Sequence, residues 1–449
     1  MPRRHWATAG LALGITMSVI DGTIGTAALP TIGRALNVPP SDIIWATNAY
    51  QLAVTVSLLP LAALGEIVGY RRIYLSGLVL FTLASLGCAM ADSFGWLVAG
   101  RAAQGFGAAG LMSVNSALIR FIQPRARLAR GLGLNAMVVS TAAAAGPTVA
   151  GLILGVADWP WIFAVNVPLG ILALVLGLRA LPQTPRGGHR FDWVSALLSA
   201  STFGLLILGL DSLAHGGAGL TSVLTIAAGL GAGAWLVRRQ TGRPRPLLPL
   251  DLLGIPVFAL SIGTSICSFM AQALAFSGLP FLLQTGFGFS VFHAGLLTTP
   301  WFLATAVAAP LSGRLMDRFP AGLLGGVGLV LMAAGLGLLA LLPAHPQAAD
   351  IVWRMALCGF GFGLFQTPNN RTMVGAAPPE RAGGASGMLA TARLLGQTTG
   401  AALVGLVLGW MPGMPIAGPT TALTLACAMA TLGAVISMLR LRARGRDGG

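Results

Sequence analysis

Long apolar runs, separated by short polar or glycine-rich stretches, follow one another along the whole chain. A helix of about 20 apolar residues covers the hydrocarbon core of a bilayer, so the pattern predicts membrane-spanning helices. In the first part of the chain the runs fall near residues 7–33, 42–64, 73–91, 94–119, 129–156 and 159–178. Two more lie near 192–213 and 220–237, and six near 256–283, 291–313, 321–342, 349–370, 382–409 and 419–439. That makes fourteen expected spans, and the loops between them are too short to hold a soluble domain. The expected fold class is an all-α polytopic membrane protein.

Composition agrees with the pattern. Only 9% of the 449 residues are charged, against about 25% in a soluble domain, and the mean hydropathy is +0.81. A net charge of +15 would suggest nucleic acid in a soluble protein, but its distribution argues otherwise. All 27 basic residues are arginine, and with the N-terminus inside, 23 of them fall on inner loops or tails, Arg440 included. Arg34 falls on an outer loop, and Arg101, Arg354 and Arg393 fall within spans. This is the positive-inside bias. It predicts an even number of spans, both termini in the cytoplasm and a bacterial inner-membrane location. The four cysteines are widely separated within spans, without the spacing of a disulfide framework or metal site. The apolar run after Met1-Pro2-Arg3-Arg4 is too long for a signal peptide and reads as the first helix.

The chain repeats itself. Gly105-Phe106-Gly107 recurs as Gly359-Phe360-Gly361, and the same shift takes Asn115 to Asn369 and Gly146 to Gly400. Leu29-Pro30 returns as Leu279-Pro280, and Glu66 as Asp317. The repeat predicts a six-helix bundle over 1–180, a linker with two further spans over 181–250, a second six-helix bundle over 251–440 and a basic tail over 441–449. Related bundles with a substrate path between them suit alternating access.

Four motifs carry candidate chemistry. Asp21-Gly22-Thr23 stands in the first span, eight residues before Leu29-Pro30. A charged carboxylate at this depth costs about 2.5–3.5 kcal/mol on translocon scales. Desolvation favours its protonated form, so Asp21 is the candidate for taking up and releasing protons. The other acids sit at span ends or loops, or, for Asp211, at the outer end of the seventh span. Leu64 to Arg72 after the second span, and Gly313 to Arg318 in the second half, hold acids near basic residues. Glu66, Arg71, Arg72, Asp317 and Arg318 are accordingly the candidates for a charge lock at an inner gate. In the fourth span, Gly100-Arg101-Ala102-Ala103-Gln104-Gly105 combines a buried arginine with glycines that permit close helix contact. Arg101 either pairs with a group on the first span or satisfies backbone carbonyls. In the fifth span, Gly146, Pro147 and Gly151 combine a kink with small packing residues.

These motifs resemble those of the major facilitator superfamily, and more narrowly its fourteen-helix drug:proton antiporter family. The resemblance spans essentially the whole chain. Asp-x-Thr and Arg-x-x-Gln-Gly-x-Gly are matched well, the Gly-Pro antiporter motif is matched with Ala142 and Ala150 in place of two glycines, and Asp158 to Gly170 is similar to a segment of the fourteen-helix family with Pro160 in place of an arginine. The loop signature departs from its pattern at Ala62, Glu66 and Ile67. The resemblance implies two six-helix bundles plus an extra two-helix hairpin, an influence of Arg101 on proton exchange at Asp21, and a kink associated with export. It implies no cofactor beyond a proton gradient.

Polar and polarisable residues within spans are the candidates for the substrate cavity. In the first bundle these are Asn48, Tyr50, Gln51, Met112 and Asn115. The second bundle offers Met270, Gln272, Phe276, Gln366, Asn369, Asn370 and Arg393. Methionine and aromatic surfaces repack around varied ligands. The expected activity is proton-coupled efflux of amphiphilic, cationic drugs or biocides by a monomer in the lipid bilayer. The alternative is export of one specific metabolite, anionic if Arg393 selects charge. A channel would carry a polar ring or repeated filter element, a receptor a signalling domain, and an enzyme a cluster of catalytic side chains; none is visible.

Overall fold

Helices take up nearly all of the described residues, because in an apolar setting only a helix satisfies every backbone N–H and C=O within one segment. The computed structural model describes residues 2–124, 128–184, 191–214, 219–241, 250–376 and 382–444. The order is α1 (Pro2–Leu36), a short α2 (Pro40–Ile43), α3 (Trp45–Val68), α4 (Tyr70–Ala89), α5 (Phe94–Ile122) and α6 (Leu128–Val156). Next come α7 (Trp161–Ala164), α8 (Asn166–Ala180), α9 (Trp193–Ala214) and α10 (Leu220–Gln240). A 3₁₀ turn (Leu250–Gly254) leads into α11 (Pro256–Phe281), which ends in a π turn (Leu282–Gly286). Then follow α12 (Val291–Leu315), α13 (Ala321–Ala340), α14 (Ala348–Ala376), α15 (Ala382–Trp410) and α16 (Ala417–Arg444).

The chain divides into two compact units, Met1–Gly204 and Leu205–Gly449. Within the first, α5 packs on α3 and α4, and α1 packs on α6 and α8. Within the second, α14 packs on α12 and α13, and α11 packs on α15 and α16. The repeated glycines make these contacts. A Cβ at Gly105 would lie 2.4 Å from the Tyr50 carbonyl of α3, and one at Gly359 would lie 1.9 Å from the Trp301 carbonyl of α12. At Gly107 the obstacle is Phe81 N of α4, 2.5 Å away, and at Gly361 it is the Gly328 carbonyl of α13, 2.4 Å away. The internal repeat is therefore a repeat of backbone-to-backbone packing. Gly69 serves the chain differently, because its φ of 106° turns the backbone sharply between α3 and α4.

Among the described residues, twelve helical segments are long and apolar enough to cross a membrane. The count differs from the expected fourteen at two places. In α6 the continuous apolar stretch found is Thr141–Val156, and in α9 it is Trp193–Gly209. A second difference concerns Arg440, expected on the inner tail. It lies inside α16, 4% exposed, where Nη1 donates to Ser261 Oγ (3.1 Å) and Asn369 Oδ1 (2.7 Å). Most of the arginines assigned to the 181–250 linker, namely Arg186, Arg190, Arg243 and Arg245, lie outside the described residues, as do Glu380, Arg381 and the end of the basic tail.

Candidate functional site

Asp21 lies in the middle third of α1, 1% exposed, and four helices converge on it. The pairing left open by the sequence is settled by geometry: Arg101 Nη1 of α5 forms an ion pair with Asp21 Oδ2. Oδ1 accepts from Gln104 Nε2 of α5 at 3.1 Å and from Asn166 Nδ2 of α8 at 2.7 Å. Gln104 is itself fixed, donating to Ser85 Oγ of α4 (2.8 Å) and accepting from Arg101 Nη1 (2.8 Å). Arg101 also donates through Nε to the Ala46 carbonyl of α3 at 2.9 Å. Both readings of Arg101 thus hold together, one donor on the carboxylate and another on the backbone.

The local sequence explains the convergence. Gly105 brings α5 against α3, so Arg101, one turn earlier, reaches across α3 to α1. Gly25, one turn after Asp21, leaves room for the guanidinium: a Cβ there would lie 3.2 Å from Arg101 Nη2. Tyr50 forms one wall. Its hydroxyl donates to the Ser18 carbonyl (2.9 Å), and the Arg101 Cζ stands 4.3 Å from its ring centroid, within cation–π range. The ring of Phe163 stands 5.5 Å from the same carbon. A buried ion pair is favourable only when its remaining donors and acceptors find partners, and this network supplies most of them. Arg101 Nη2 remains without a hydrogen-bond partner.

The antiporter motif meets the same helix. A Cβ at Gly146 of α6 would lie 1.8 Å from Thr23 Oγ1, two residues beyond Asp21, so only glycine permits this approach. Pro147 and Gly151 are buried nearby in α6.

The candidate cavity residues divide by environment. Gln51, Met112, Met270, Gln272, Gln366 and Asn370 are half-buried. Phe276 is half-buried too, but its ring packs against Trp301 (5.1 Å) and Phe302 (5.0 Å). Asn115 is buried and donates to Asn135 Oδ1 of α6 at 2.7 Å; Asn369 is buried and donates to Ser265 Oγ at 2.7 Å. These two join helices to one another. Asn48 is buried with its Oδ1 unpartnered, and Tyr50 belongs to the Asp21 site. Arg393 is half-buried, its Cζ 5.4 Å from the Phe269 ring centroid. At the gate positions, Glu66, Arg72, Asp317 and Arg318 are exposed, while Arg71 Nη2 donates to the Leu178 carbonyl at 2.6 Å.

Gln104, Asn166 and Ser85 had not been assigned to the site from sequence. Gln104 and Asn166 stand inside recognised motifs, and that is the signal that could have singled them out.

Two helical units built on one repeat, with a carboxylate–guanidinium pair buried in the first, define a membrane transport protein rather than an enzyme. Residues 11–401, and again 261–446, match the Major Facilitator Superfamily, and the chain belongs to that superfamily. It is 52% identical to "Uncharacterized transporter YebQ" of Escherichia coli strain K12, over 98% of this chain and 96% of the relative. It is 34% identical to the multidrug resistance protein Stp of Mycobacterium tuberculosis strain CDC 1551 / Oshkosh, over 89% of this chain and 75% of the relative. Among solved structures it resembles a bacterial homologue of the human lysosomal transporter Spinster, inward-facing and unoccupied. The TM-score is 0.70 at 17% identity, covering 100% of this chain and 98% of that one.

Proposed function

We propose that the protein is a proton-coupled exporter of amphiphilic compounds working by alternating access, with Asp21 as the proton-carrying group. Fourteen helices cross the inner membrane in this reading, with both termini in the cytoplasm and α9 and α10 standing as a hairpin between two six-helix bundles. The observation that carries the proposal is the Asp21 network itself. Two carboxylate oxygens receive three N–H donors, from Arg101, Gln104 and Asn166. Those bonds and the guanidinium charge favour the ionised carboxylate, so a proton competes chiefly with Arg101 for Oδ2.

Arg101 is the donor whose departure matters most, because it carries the opposing charge. With the pair closed, the site is neutral without a proton. When rocking of the helices draws Arg101 away, the buried carboxylate is left uncompensated and takes a proton instead. Proton uptake and helix arrangement are thereby linked, with the transmembrane proton gradient as the energy source. The contact of Gly146 with Thr23 ties α6 to the same segment of α1, which gives the kinked helix a mechanical connection to the acid.

Export of drugs is supported by the likeness to a relative named for multidrug resistance. The sequence alone favoured cationic drugs or biocides. A second reading, export of one metabolite carrying a negative charge, is favoured by a specific observation: Arg393, half-buried within α15, has no carboxylate partner among the described residues.

The test is transport in proteoliposomes under an imposed pH gradient, across a panel of cationic dyes and organic acids. Wild-type protein should move at least one compound against its gradient, and Asp21→Asn should reduce that movement to background while remaining monodisperse. Undiminished pH-driven export by Asp21→Asn removes the assignment of Asp21.

A further inference from the structure

Arginines within the helical interior differ in what their donors find. Arg101 is neutralised by Asp21. Arg440 is enclosed by Ser261, Asn369 and Ser437, all of which accept from it. Arg354 lies six residues into α14 beside the exposed Trp353, and its Nε and Nη1 are buried without a hydrogen-bond partner, closed to solvent and ligand alike. Arg393 fits none of these patterns. It lies eleven residues into α15, about 17 Å along the helix. It makes neither an ion pair nor a side-chain hydrogen bond among the described residues.

Its position is fixed tightly. Gly396 and Gly400 press α15 onto α11: a Cβ at Gly396 would lie 2.5 Å from the Ile266 carbonyl, and one at Gly400 would lie 2.5 Å from the Met270 carbonyl. Such a four-residue spacing of small residues lets two backbones touch. Arg393, three residues before Gly396, is thereby held over Phe269, whose ring meets Phe362 edge-on at 5.5 Å. The ring contact engages the positive charge but uses none of the five N–H donors. The guanidinium is half-buried rather than sealed, so those donors remain open to a ligand.

The charge balance of the second unit points the same way. Among the described residues from α11 to α16, the one acid inside a helix is Asp350, in the first turn of α14. An ionised side chain within a membrane helix normally has a partner and a function, and here the helices supply no partner. Resting on the reading of the protein as an exporter, we infer that Arg393 with Phe269 is an anion-recognition point. The exported compound then carries an acidic group, such as a carboxylate or sulfonate, on an aromatic body. The acid takes the guanidinium donors in a charge-assisted contact, and the aromatic body lies against the Phe269–Phe362 rings.

The test uses two permanently charged probes with the same body, 2-naphthalenesulfonate and (2-naphthyl)trimethylammonium. Their binding to the purified full-length protein is measured by fluorescence anisotropy without any gradient. Wild-type protein should prefer the sulfonate, and Arg393→Gln should weaken sulfonate binding about tenfold or more with no loss of ammonium binding. Arg393→Lys should recover part of the difference. Preference of the wild type for the ammonium probe, or equal sulfonate binding by wild type and Arg393→Gln, overturns the inference. The wild-type preference alone decides if Arg393→Gln is not recovered folded. The preference should persist in phosphatidylcholine vesicles and survive added phosphatidylglycerol; its loss on that addition assigns the arginine to lipid and overturns the substrate assignment. Charge-selective binding without pH-driven transport supports the anion site and removes the coupling proposal. Transport driven by pH but indifferent to residue 393 does the reverse.

Discussion

The helices α1, α3 and α5 of the first unit and α11, α12 and α14 of the second share packing contacts but enclose opposite chemistry. Gly105 against the Tyr50 carbonyl corresponds to Gly359 against the Trp301 carbonyl. With the same shifts, Asp21 corresponds to Ala271, Arg101 to Met355 and Gln104 to Cys358. All four members of the second set, Trp301 included, are fully buried. The first unit therefore keeps a hydrogen-bonded ion pair where the second keeps apolar side chains and a small thiol. A buried pair is often no more stabilising than apolar residues of similar volume, so stability does not explain the first unit's choice. The second unit is the internal control: its packing demonstrates that the helices need no charges at this place to associate.

The largest expected effect comes from giving the first unit the second unit's residues one at a time. Arg101→Met leaves Asp21 buried and uncompensated, which should cost about 3–5 kcal/mol, read as a fall in the thermal midpoint of the detergent-purified protein. Asp21→Ala combined with Arg101→Met reproduces the second unit's pair and should recover most of that loss, while pH-driven transport stays absent. A double variant as unstable as the single one breaks the comparison, because it would mean that the two groups do not act on each other.

A smaller effect should come from the glycines that the units share. Gly105→Ala and Gly359→Ala each force a methyl against a backbone carbonyl, and overpacking of this kind costs about 1–3 kcal/mol. Thermal midpoints should fall in both variants. Transport per folded molecule should fall chiefly in Gly105→Ala, where the displaced strut is Tyr50 under the Arg101 guanidinium. Equal transport losses in the two variants would make the glycines general packing elements only.

The smallest effect should be that of Arg354→Gln. Arg354 is one residue away from the position equivalent to Arg101, and one residue turns a helix by about 100°. Its guanidinium lies 5.1 Å from the Trp353 ring centroid. Transport and its pH dependence should stay within about twofold of wild type, and the midpoint should change by less than about 1 kcal/mol equivalent, because the buried Nε and Nη1 of Arg354 have no hydrogen-bond partner to lose. A large loss of pH-driven transport would make Arg354 a true counterpart of Arg101.

Much was legible in the sequence, and the limits have physical causes. Each helix can be read from its own residues, because a membrane helix meets its hydrogen bonds within the segment. The repeat was legible because close packing leaves glycine as the one acceptable residue at each contact. Asp21 stood out because a mid-span acid is rare and costly. Its partners did not stand out equally: Gln104 and Asn166 are 83 and 145 residues away along the chain, and hydropathy says nothing about which way a polar side chain turns. Likewise Asn115, Asn369 and Arg440 read as cavity or tail residues, yet all three are consumed in contacts between helices.

Sequence by itself therefore determined the apolar helices, their duplication and the acid at the centre of α1, since each follows from local composition or local packing. Tertiary structure alone decided that Asp21 is closed by Arg101, Gln104 and Asn166, that Arg440 is satisfied and that Arg393 is not. Pairing of charges within a membrane protein depends on which helix faces meet, and a single residue of offset is enough to change the answer.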